Sequence, residues 1–125
     1  MQFRLVLHSF SAEERNLAQK ADPPDTNSAP GEAHGDLFIK ADGVLITYEW
    51  PYSELPAKND EHFERLVEDS AGILLTRKAD HRLHYWTHEG EVSKGRGSVA
   101  ELLRGEIEIK AGFPDQLRVR PYSST

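Results

Sequence analysis

The dipeptide Asp42-Gly43 lies between two apolar runs, Leu37-Phe38-Ile39-Lys40-Ala41 and Val44-Leu45-Ile46-Thr47-Tyr48-Glu49-Trp50, and constrains the fold more than any other feature of the chain. A two-residue Asp-Gly loop supplies the positive φ angles of a type I′ turn, whose twist matches that of the flanking strands. The spacing predicts an antiparallel hairpin. Val44, Ile46, Tyr48 and Trp50 then fall on one face, with Leu45, Thr47 and Glu49 on the other.

The same two-residue period marks further strands. Phe3, Leu5 and Leu7 alternate with Gln2, Arg4 and His8, which predicts a first strand with one buried face. Residues 73–77, the alternation of Leu83, Tyr85 and Thr87 with His84, Trp86 and His88, and the segments 106–110 and 116–120 read as strands as well. Lys78-Ala79-Asp80-His81 reads as a turn, and Pro51 and Pro56 bracket a loop.

Three segments read as short helices. Ser11-Ala12-Glu13-Glu14 has capping-box spacing ahead of Leu17, Ala18 and Ala21. Asp60 stands where a cap would precede Phe63, Leu66, Val67 and Ala71, which recur at three- and four-residue steps until Gly72. Ser98-Val99-Ala100-Glu101 repeats the capping box, with Leu102 and Leu103 behind it and Gly105 as the stop. Residues 22–35, dense in Pro, Gly, Ser and Asp, read as a mobile surface loop in which His34 is solvated. The expected fold is a single α+β domain over 1–125, a mostly antiparallel twisted sheet of about six to seven strands with two or three short helices.

Composition excludes several functions. The chain has no cysteine, which removes disulfides, thiolate nucleophiles and cysteine-type zinc sites. The formal charge of −6 repels phosphate backbones, and the 15 basic residues are dispersed, so nucleic acid is not an expected partner. No run approaches the roughly 20 apolar residues of a membrane span, and the first residues do not form a signal peptide; a cytoplasmic location without membrane attachment is the expectation.

The segment 81–89 gathers three of the six histidines, Tyr85 and Trp86. On a strand, His84 and His88 share a face but stand roughly 13 Å apart at about 3.3 Å per residue, too far to share an ion. The expectation is therefore no metal and no cofactor, with Trp86, His84 and His88 as contact residues on a sheet face. The acidic side of the 61–69 helix, with Glu61, Glu64 and Glu68, would answer a basic partner. Lys94, Gly95, Arg96, Gly97 and Ser98 lead into a helix N-terminus and form a candidate anion site, without the full phosphate-loop pattern. No nucleophile elbow or other catalytic signature is present. The expected function is a small acidic protein-binding domain, an inhibitor or immunity-type protein that neutralises a basic partner protein and is not itself an enzyme. The alternative is a small-molecule or metal-binding domain, hydrolase-like, using His84, His88 and the 94–98 loop.

Overall fold

The computed structural model describes residues 1–9, 33–91, 97–110 and 112–122. Its strands are β1 (Gln2–Ser9), β2 (His34–Ala41), β3 (Val44–Trp50), β4 (Arg65–Arg82), β5 (Gly90–Glu91), β6 (Ser98–Glu108) and β7 (Gln116–Tyr122). They form one sheet in the order β5-β6-β1-β2-β3-β4-β7. All neighbours are antiparallel apart from one further pairing. The end of β6 runs parallel to the start of β4, with Arg65, Leu66 and Val67 opposite Glu106, Ile107 and Glu108. Through that contact the pairings β1–β2–β3–β4–β6–β1 form a closed ring, leaving β7 to flank β4. Closing a sheet on itself removes the free strand edges that would otherwise template aggregation.

The hairpin forms as expected. Asp42 and Gly43 both have positive φ, 32° and 86°, and the register runs from Ala41 opposite Val44 to Gly35 opposite Trp50. Phe3, Leu5, Leu37, Ile39, Ile46, Tyr48, Trp50, Leu66, Leu75, Leu103, Ile107, Leu117 and Val119 fill the interior. Tyr48 donates its hydroxyl to the Pro114 carbonyl and Trp50 its ring N–H to the Glu54 carbonyl, so both polar handles of these core aromatics are satisfied. β1 departs from the one-faced strand: Arg4 and Val6 on its outer side are as buried as Phe3 and Leu5. Val6, Phe38, Leu45 and Val99 form a second apolar cluster there, against which Tyr85 and Trp86 pack.

The expected helices fare differently. Residues 11–21 lie outside the described residues. The helix expected after Asp60 is a 3-10 turn, Glu61–Phe63, capped by the Asp60 carboxylate, and then β4 begins. A bulge explains the helix-like spacing: Val119 stands opposite both Glu68 and Ile73, so residues 69–72 loop out and break the two-residue alternation. Gly72 sits where a Cβ would collide with the Val119 backbone, and the Asp69 carboxylate receives the Ala71 N–H at 2.8 Å. The second capping box is likewise strand β6. There the register slips between Leu5 and Val6, which face Leu103 and Glu101 and leave Leu102 as the extra residue. Gly105, expected to end a helix, lies within β6, where an added Cβ would collide with the Glu64 carbonyl and come within 3.0 Å of Phe3 Cε1. Among the described residues, helical structure is confined to this and two other 3-10 turns, Tyr52–Glu54 and Leu83–Trp86. Lys78–His81 belongs to β4, with an irregularity between the pairs Thr47–Lys78 and Leu45–His81.

Candidate functional site

Beyond Arg82, where β4 ends, the segment expected as a strand over 82–89 is not one. Leu83–Trp86 is a 3-10 turn, which lays Tyr85 and Trp86 over the outer apolar cluster and leaves His84 exposed. Its anchor is Arg4, 1% exposed, whose guanidinium donates to the carbonyls of Tyr85 (2.8 Å) and His88 (2.9 Å) and to the carboxylates of Glu101 (2.8 Å) and Glu89 (3.2 Å). Nothing in the local pattern of residues 82–89 reveals this clamp, because the arginine comes from the first strand.

The turn brings the His84 and His88 rings to 5.7 Å, far nearer than strand geometry allows, but His88 Nε2 donates to the Glu91 carbonyl at 2.8 Å. No third ligand joins them among the described residues. Trp86 is half-buried against the outer apolar cluster, with Lys40 and Arg104 over its ring at 5.5 and 5.2 Å. Glu61, Glu64 and Glu68 do not share a helix face: Glu61 begins a 3-10 turn, Glu64 follows it, and Glu68 in β4 accepts the Lys110 N–H. Of the candidate anion site, Lys94, Gly95 and Arg96 lie outside the described residues, and Gly97 and Ser98 lead into a strand rather than a helix N-terminus.

A different group of side chains converges on the outer face of β1, β2 and β3. His34, expected in a solvated loop, opens β2. Antiparallel register sets His8 directly opposite His34, and Asp36 directly opposite Glu49. His34 and Asp36, two residues apart, share a face. The His8 and His34 rings meet edge-on with centroids 5.0 Å apart. His34 Nε2 lies 3.2 Å from Asp36 Oδ1, and His8 Nδ1 lies 3.6 Å from Asp36 Oδ2. His34 Nδ1 faces Glu49 Oε1 at 3.9 Å, and that same oxygen holds Lys78 Nζ at 3.2 Å. The side chains are only 16% (His8), 12% (His34), 7% (Asp36) and 15% (Glu49) exposed.

Burial pushes the Asp36 carboxyl up. The imidazoles of His34 and His8 turned to it at 3.2 and 3.6 Å, with the charges of His34 and Lys78, more than offset that and hold it well below the usual carboxylate range. Asp36 is therefore ionised at neutral pH. Yet among the described residues Asp36 Oδ1 and both ring nitrogens of His34 are buried without a well-formed hydrogen bond, their own 3.2 Å approach being an ion-pair contact that does not qualify as one. Buried polar atoms of native proteins are nearly always satisfied, so three orphans in one spot call for a partner.

A cation meets that demand for His34 Nε2 and Asp36 Oδ1. One ligand atom from each of His8, His34 and Asp36 lies within 4.8 Å of the other two. Ligand bonds of about 2.0–2.2 Å place donor atoms roughly 3–3.5 Å apart, so modest side-chain closure completes the set. Two imidazoles and a carboxylate suit zinc, iron, nickel or copper rather than calcium, and three protein ligands leave a coordination position open. Nearby, His81 Nδ1 faces Thr47 Oγ1 at 2.8 Å and the Ala79 carbonyl at 3.1 Å. Because a carbonyl only accepts, that nitrogen carries the proton. No protein-family model matches this chain, and no curated protein or solved structure matches it either.

Proposed function

We propose that this chain is a transition-metal-binding β domain whose ligands are His8, His34 and Asp36. The observation that carries the reading is the orphaning of His34 Nδ1, His34 Nε2 and Asp36 Oδ1 beside His8, in a place where one divalent ion would satisfy His34 and Asp36 together. The reading keeps the metal-binding class but moves it from His84 and His88 to a different pair of histidines. The neutralisation of a basic partner protein keeps the net charge of −6 and the exposed His84, Glu61 and Glu64 as support, but loses the acidic helical face that would have joined the glutamates.

Titration of untagged protein with Zn²⁺, Ni²⁺ and Mn²⁺ tests the proposal. An ion bound only by the folded state stabilises it by about 2.7 kcal/mol at 100 times Kd, read as a saturable rise in melting temperature. The shapes of His34→Gln and Asp36→Asn match the native side chains, and each variant should lose that rise. A folded wild-type protein that no divalent ion stabilises overturns the assignment.

A further inference from the structure

His34 stands between two carboxylates. Its Nε2 is turned to Asp36 Oδ1 at 3.2 Å and its Nδ1 to Glu49 Oε1 at 3.9 Å. A neutral imidazole carries one proton, so one nitrogen donates and the other offers a lone pair. A metal ion between His8, His34 and Asp36 takes the lone pair of Nε2, which obliges the proton to sit on Nδ1. A buried Nδ1–H requires an acceptor, and no hydrogen bond reaches it among the described residues. Glu49 Oε1 is placed to serve. It is mostly buried, stands opposite Asp36 in the β2–β3 register, and needs to close by about 1 Å to reach the 2.7–2.9 Å of a charge-assisted bond. Lys78, on the next strand, pairs with the same oxygen and holds the Glu49 side chain in place.

We infer that Glu49 is a positioning residue for the metal, acting through His34: it fixes the Nδ1–H tautomer and so presents Nε2 to the ion, with Lys78 anchoring it in turn. This rests on the metal-binding reading above. Ligating histidines characteristically give their second N–H to a carboxylate, and loss of such a partner weakens binding about 10- to 100-fold. The alternative tautomer would direct the Nδ1 lone pair at the Glu49 carboxylate and occupy Nε2 with a proton, opposing the ion on both counts.

The test uses the full chain, Zn²⁺ as the probe, and two readouts. Calorimetric titration should show Glu49→Ala binding Zn²⁺ about 10- to 100-fold more weakly than wild type, with Glu49→Asp recovering part of the loss. Long-range ¹H–¹⁵N spectra of the zinc-loaded wild type should show His34 protonated at Nδ1 and metallated at Nε2. If Glu49→Ala does not fold, Glu49→Gln, which keeps the shape and removes the charge, takes its place. Wild-type binding with a twofold change or less in these variants, or ligation of His34 through Nδ1, overturns the role of Glu49 and leaves the metal site standing. Absence of Zn²⁺ binding by the wild type overturns both.

Discussion

Replacing Arg4 with methionine should release the 83–91 segment from the sheet. The size of the effect follows from what the guanidinium holds. Two of its four bonds go to main-chain carbonyls, Tyr85 and His88, that would be left without a partner. The other two go to carboxylates with alternatives: Glu101 keeps Arg104, and Glu89, 58% exposed, keeps the Glu101 N–H. Hydrogen bonds from a charged donor contribute roughly 1.5–3 kcal/mol each, so the two carbonyls set a gross loss of about 3–6 kcal/mol. Relief from burying a charge offsets part of this, as methionine fills much of the same volume. The expected net cost is about 2–4 kcal/mol. Arg4→Lys should fall between, because an ammonium keeps the charge but not the fork that spans both carbonyls. Urea denaturation gives the global number from the midpoint at constant slope, and hydrogen exchange locates it. Exchange should accelerate at residues 85–91 before it does in β2 and β3. A loss below 1 kcal/mol with unchanged exchange over 85–91 would refute the view that this arginine holds the cover in place.

Two further outcomes can be checked directly. Gly105→Ala should destabilise the fold by at least about 1–3 kcal/mol in thermal or urea unfolding, since its methyl group would meet the Glu64 carbonyl at the point where β6 joins β4; a neutral result would mean that the ring closes more loosely than described. His81 is held below its ordinary value of 6.5 by burial, so the unfolded chain takes up a proton before the folded protein does. Stability should therefore fall as pH drops below about 6.5, until the folded-state His81 itself titrates. His81→Gln should flatten that part of the pH profile.

Much of the sheet was legible because alternation is a local signal. Phe3, Leu5 and Leu7, the two arms around Asp42-Gly43, and the residues near Ile107 and Val119 all announced strands that are present. The failures fall where extra residues interrupt that alternation. The looped-out residues 69–72 turned a strand into an apparent amphipathic helix, and the additional Leu102 did the same behind Ser98. For residues 82–89 the deciding partner, Arg4, is remote in sequence, so no window around Trp86 contains the reason for the turn. The candidate metal site was half readable. Counting back from the hairpin turn places Asp36 opposite Glu49, and extending the alternation two residues before Asp36 sets His34 beside it on the outer face. That His8 completes the group depends on the β1–β2 register, a pairing of residues 26 apart that the alternation of either strand alone does not fix.

The position of β1 between β2 and β6 has a consequence for biosynthesis. Its second neighbour begins at Ser98, roughly ninety residues after the strand leaves the ribosome, a wait of about 5 to 20 seconds at ordinary elongation speeds. Throughout that interval the Phe3-Arg4-Leu5-Val6-Leu7 backbone has at most one flank occupied, and the nascent protein carries an adhesive ribbon there. Crowded translation of this message should favour inclusion bodies unless a chaperone shelters that ribbon, and slower growth temperatures should shift yield toward the native form.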